Sequence, residues 1–150
     1  MVQIKVLRRG DRSDEKVVDQ PNPRFRHLET MKIILSSIIP FKGFLCINLF
    51  GTLFWRKEHA DKLNDESYKK GVINHEAIHT AQMDDFCKWK PIGGTIFYIV
   101  YFFEWLFRVL FVHPFSHQAY RSISFEREAY AHEKDLNYLT TRGRFAQWKS

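Results

Sequence analysis

Residues 75–79 read His-Glu-Ala-Ile-His. Positions four apart share a helix face, so His75 and His79 direct two imidazoles at one point, close enough to hold a single metal ion. Glu76 follows the first His and can reach a metal-activated water without being a ligand. Zinc lowers the pKa of such a water toward neutrality, and a carboxylate can take its proton as it attacks a carbonyl. The flanks suit a buried metal helix: Val72 and Ile73 precede the motif, and Ala77 and Ile78 inside it are uncharged. The competing reading is a helix with two ordinary histidines.

A catalytic zinc site needs a third protein ligand and one open position. The run Ser124-Phe-Glu126-Arg-Glu128-Ala-Tyr-Ala131 offers two carboxylates. With His-Glu-x-x-His upstream and Glu126-Arg-Glu-Ala129-Tyr130 downstream, the chain resembles the gluzincin zinc peptidases. Small single-domain gluzincins and the CAAX-prenyl endopeptidase group share that layout, in which a second helix carries Glu-x-x-Ala/Ser/Cys-Asp. The resemblance covers residues 44–135, in the order strand, HExxH helix, connecting segment, glutamate helix. It implies Zn2+ held by His75, His79 and Glu126, Glu76 as general base, and a peptide or protein substrate. Tyr130 stands where the family has Asp. That Asp commonly braces a ligand His, so the brace is unassigned here. Glu128, about 200° around the helix from Glu126, is the fallback third ligand. A solvated Glu-Arg-Glu face is the plain alternative.

A metzincin arrangement, HExxHxxGxxH with Asp in a few cases at the last place, would use Asp85. Gln82 occupies the position where Gly lets that helix stop and turn. The helix therefore continues, and Asp85 falls about 15 Å along the axis from His75. His113 and His117 are also four apart, but Pro114 between them suits a loop pair better than a second site. Tyr130 and His132 are candidates to stabilise an oxyanion. Strand 44–55 could offer its edge to an extended peptide, with core sheet as its default role. Trp55 and Arg56 read equally well as packing and solvent contact.

These residues need an α+β scaffold of short antiparallel strands, the HExxH helix, a long apolar helix and the glutamate helix. Between 33 and 56, Pro40, Gly43 and Gly51 punctuate an apolar stretch, which favours short strands with a hairpin or bend at Gly51. Residues 57–71 read as a polar loop or short surface helix. Apolar spacing then predicts a helix from Val72 to about Lys90, with Pro91 and Gly93-Gly94 as a break. A third helix is expected from Ala119 to Leu139.

Residues 95–112 form an apolar run of transmembrane-like length, interrupted by Glu104 and Arg108 at i and i+4. Its place in the chain limits its use. His79 precedes it and Glu126 follows it, so a single pass would put the ligands on opposite sides of roughly 30 Å of hydrocarbon. The zinc reading leaves a buried or dimer-forming helix, or one lying in or dipping into a membrane surface.

The 150 residues suit one domain, with 31–150 as the zincin-like unit and 1–30 as a flexible extension. The net charge of +6 is spread along the chain and interleaved with acids, unlike the clustered cations of a nucleic-acid binder. Cys46 and Cys87 are too few for a disulfide framework and read as two thiols or one bridge. No clear signal peptide is visible, which favours a cytoplasmic or peripherally membrane-associated protein. A second class of function stays open: a membrane-associated interaction protein that holds zinc without turnover.

Overall fold

The computed structural model describes residues 31–114 and 116–149; the proposed 1–30 extension lies outside them. The strands are β1 (Lys32–Ser36), β2 (Cys46–Leu49) and β3 (Thr52–Arg56), followed by a 3-10 helix over Lys57–Asn64. Helix α1 spans Glu66–Phe86, and α2 spans Lys90–Phe107 before widening into a π turn at Arg108–Val112. Three short helices follow, α3 (His117–Arg121), α4 (Ser124–His132) and α5 (Tyr138–Thr141), and a last 3-10 turn covers Ala146–Trp148. The class is α+β.

The sheet is mixed, which corrects the expectation of antiparallel strands. Its order is β1-β3-β2, with β2 antiparallel and β1 parallel to β3. Residues 37–45 carry the chain past the place that β3 later fills, so β3 returns from the hairpin alongside β1. At the hairpin, Phe50 and Gly51 both have positive φ (51° and 82°), as a two-residue turn of the right twist requires. The Asn48 side chain steadies it, Oδ1 accepting from the Gly51 N–H at 2.9 Å. On one sheet face, fully buried Leu53 and Trp55 pack with Ile33 against Val72 and Ile73 of α1.

Helix α1 begins six residues earlier than apolar spacing predicts because Asp65 caps it. Its carboxylate accepts from the Ser67 and Tyr68 N–H groups, each at 3.0 Å. From Ile73 to His79 every residue is buried, because the sheet covers one side and α2 and α4 cover the other. On that second side Met83, Phe97, Ile123 and Phe125 form a core cluster. Each such large side chain contributes roughly 1.5–3 kcal/mol through burial.

Gly93 and Gly94 lie inside α2 instead of breaking the chain, and close packing is their purpose. A Cβ on Gly93 would meet the Cys87 carbonyl oxygen at 2.1 Å, and one on Gly94 would meet the Phe50 ring at 2.5 Å. Helix α2 is enclosed on one side only, where Phe97, Tyr101 and Trp105 join the core cluster. Only 6% of its most apolar window is buried.

The expected helix from 119 to 139 is three pieces. Ile123 takes an extended ψ of 135°, and the α4 N-terminus that follows is held from outside. Glu104 of α2 accepts from the Ser124 N–H at 2.7 Å and from its hydroxyl at 2.6 Å. Beyond α4, the Asn74 side chain of α1 donates to the carbonyls of His132, Glu133 and Asp135. Both ends of the glutamate helix are thus tied to the long helices.

Candidate metal centre

Helix α1 brings His75 and His79 to one face, and α4 turns Glu126 toward them. The two Nε2 atoms lie 3.2 Å apart. Glu126 Oε1 is 3.2 Å from His79 Nε2, and Oε2 is 3.4 Å from His75 Nε2. Among the described residues this is the one group of three or more His, Cys, Asp or Glu whose donor atoms could hold a metal ion. Zinc bonds of 2.0–2.1 Å would set tetrahedral ligand atoms about 3.3 Å apart. The separations match that edge length.

The electrostatics also call for a cation. Glu126 is 2% exposed, and its Oε2 accepts no hydrogen bond. Burial alone would raise its pKa, but the His79 charge, with His75 close by, holds it well below the usual carboxylate range. Burial would likewise lower His79, yet the Glu126 charge outweighs it and pushes the imidazole up to about 9. Without metal, a proton supplies the positive charge that the buried carboxylate needs. The N2O donor set with an unfilled oxygen therefore fits a divalent ion.

Neighbouring groups fix the orientation of the three side chains. His79 Nδ1 contacts Gln82 Oε1 at 2.8 Å, and His75 Nδ1 contacts Glu133 Oε2 at 3.3 Å. With both Nδ1 atoms engaged, both Nε2 atoms face the centre. The Tyr101 hydroxyl donates to Glu126 Oε1 at 2.9 Å. The Tyr130 ring stands edge-on to His75 at 4.7 Å, covered by the Arg121 guanidinium. Sequence reasoning missed Gln82, Glu133 and Tyr101 as supports. Gln82 had a usable signal, three residues after His79 on the same helix; the other two carried none.

Glu76 is buried where two clefts meet. The larger, about 880 Å3, is lined by His75, Tyr130 and Glu133; the smaller, about 370 Å3, by His79, Met83, Phe97 and Glu126. Phe44, Cys46, Glu76 and Tyr120 line both. The Cys46 thiol donates to Glu76 Oε1 at 3.5 Å. Strand β2 lies at the sheet edge, and Arg56 N–H donates to the Leu45 carbonyl at 2.9 Å. In that register the peptide groups of Cys46 and Asn48 point away from β3. Asn48 O already accepts from the Tyr98 hydroxyl at 2.7 Å, which leaves the Cys46 peptide groups at the edge.

Other sequence candidates lie elsewhere. Glu128, the fallback ligand, is taken by Arg142, by Gln82 at 2.9 Å and by Tyr138 at 2.8 Å, so it does not join the triad. Asp85 pairs with Arg142 at 2.8 Å and accepts from the Phe145 N–H. His132 stacks on Tyr138 with ring centroids 3.6 Å apart and lines neither cleft described above. His113 ends the π turn and His117 begins α3, so no single helix carries both. Trp55 and Arg56 are buried, Arg56 donating to the Pro40 carbonyl and pairing with Glu58. Both cysteines are free thiols. No family model, curated protein or solved structure matches the chain.

Proposed function

We propose that this chain is a zinc-dependent peptidase of gluzincin type, with His75, His79 and Glu126 as ligands and Glu76 as general base. One observation carries the reading: three buried donors converge at zinc-ligand spacing, next to a glutamate that opens onto two clefts. Zinc, when bound, supplies Lewis acidity that polarises a carbonyl and makes water a nucleophile near neutral pH. The chain's residues do the rest. Glu76 takes the proton of the attacking water and passes it to the leaving amine. An extended substrate runs beside β2, where the Cys46 peptide groups can pair with its backbone. Tyr120 lines both clefts, and burial with the Glu126 charge keeps its phenol protonated. Its hydroxyl, which also reaches Glu126, is placed to donate to the developing oxyanion.

The test compares metal content and peptide hydrolysis in the purified protein and two variants. Glu126→Ala should lose stoichiometric zinc. Glu76→Gln should keep it and lose hydrolysis; retained activity would refute the mechanism. Zinc in the native protein with no cleavage across a peptide library would favour the non-catalytic interaction protein instead.

A further inference from the structure

A helix at a protein surface ordinarily turns charges outward. Helix α2 does the opposite. Its outward stripe is Ile92, Ile96, Ile99, Phe103, Phe107 and Leu110, spaced at three and four residues, with Phe103 62% and Phe107 57% exposed. The charged residues within 91–112, Glu104 and Arg108, turn inward, bind each other at 2.8 Å and hold Ser124. A second apolar segment adjoins it. Phe41 is 82% exposed and Phe44 55%, and the Phe50 ring of the same region rests edge-on against Tyr98 of α2. Phe44 and Ile47 also line one cleft with Tyr98 and Trp105 of α2, so the two stretches adjoin and both leave apolar side chains exposed.

Charge identifies what covers it. Exposed Lys42 follows exposed Phe41, and exposed Lys88 precedes Trp89, which is 64% exposed. The nearby acids are paired with other cations, Asp84 with Lys90 at 2.7 Å and Glu58, beside Lys42, with Arg56 at 2.8 Å. Aromatic and basic residues side by side at the margin of an apolar surface suit the boundary between acyl chains and anionic headgroups. A second copy would bring like-charged margins together. The inner side of α2 is occupied, since Phe97 and Tyr101 pack on Phe125 and Tyr101 reaches Glu126, so the helix can give only one side to lipid.

We propose that this surface seats the protein on an anionic bilayer, with the outward side of α2 and the Phe41, Phe44 and Phe50 side chains in the acyl boundary and Lys42 and Lys88 at the headgroups. The seat is independent of the peptidase reading. It brings Phe44 and Ile47, which also line the apolar cleft beside His79 and Glu126, to the lipid surface.

Vesicle flotation of the full chain tests this, with phosphatidylcholine alone and with equal parts phosphatidylcholine and phosphatidylglycerol. The native protein should float with the anionic vesicles and detach as salt rises. Phe103→Ser with Phe107→Ser should reduce binding at least about tenfold with unchanged circular dichroism and zinc content. Lys42→Gln with Lys88→Gln, at exposed positions that leave folding alone, should weaken binding and flatten its salt dependence. The proposal is overturned by native protein that floats with neither vesicle, or by either variant floating as well as the native chain. It is equally overturned by a non-floating dimer that the Phe substitutions dissociate, which would assign the surface to a second copy.

Discussion

Glu133 holds His75 by its outer nitrogen, Oε2 lying 3.3 Å from Nδ1, and so supplies the brace that Tyr130 cannot. The carboxylate comes from the residue just past α4, seven positions after Glu126. One short segment therefore carries both the carboxylate of the candidate metal triad and the support of its opposing histidine.

Removing that brace should weaken the metal site without unfolding the chain. Glu133→Ala is expected to lower zinc affinity about 10–100-fold, the usual effect of losing a partner behind a ligand histidine. Glu133→Gln, which still accepts from the imidazole N–H, should lose less. Competition with a chelating dye measures both, and equal affinities in all three proteins would dismiss the brace.

Glu104 anchors the start of α4 through Ser124, two residues before Glu126. Glu104→Ala leaves a buried N–H and hydroxyl without their acceptor and Arg108 without its partner. It should cost about 1–3 kcal/mol in urea unfolding. Zinc affinity should fall with it, because the helix that aims Glu126 loses its fixed start. Ser124→Ala, keeping the N–H contact, should cost less; the reverse order would contradict this assignment.

Gly93→Ala should be among the most damaging single changes. The added methyl meets two backbone oxygens, those of Cys87 and Met83 at 2.1 and 2.6 Å, and backbone cannot move aside as a side chain can. A loss of at least about 3 kcal/mol, the upper range for overpacking, should appear as a lower thermal midpoint. Gly143→Ala, which meets nothing closer than the Lys149 ammonium at 4.0 Å, is the control.

Stability should decline on the alkaline side. Burial, then the Glu76 charge, raises the Cys46 thiol, and burial raises the Tyr98 phenol. Both stay neutral in the fold, whereas in the unfolded chain they ionise near about 8.5 and 10. Their contribution is complete below those unfolded values and is lost as pH rises toward the folded ones. Melting should therefore drop between pH 7 and pH 10, and Cys46→Ala should flatten the lower part of that decline. A melting temperature that does not change across this range would rule the effect out.

Much of the site is legible in the chain because its signals are local. The i, i+4 spacing puts His75 and His79 on one face wherever α1 packs, and the Glu104–Arg108 pair follows from the same geometry. The hairpin at Gly51 also follows from short-range chemistry. The sheet's parallel pair does not, because β1 and β3 meet only through the path of residues 37–45. Spacing misjudged Gly93-Gly94 for a related reason: a glycine pair reads as a break unless the opposing backbone is known.

By itself the sequence determined which residue types could bind a metal and that two of them share a helix face. The choice between Glu126 and Glu128 rested on a resemblance, and tertiary structure decided their roles. Arg142 and Tyr138 come from beyond α4 and Gln82 from α1 to engage Glu128, while the Glu126 carboxylate faces two imidazoles, Oε1 toward His79 and Oε2 toward His75. Tertiary structure likewise turned Glu104 inward and the phenylalanines of α2 outward. Periodicity names the residues on a helix face. Only the packing of one helix against others decides which face meets the core, which carboxylate finds a cation, and which surface stays uncovered.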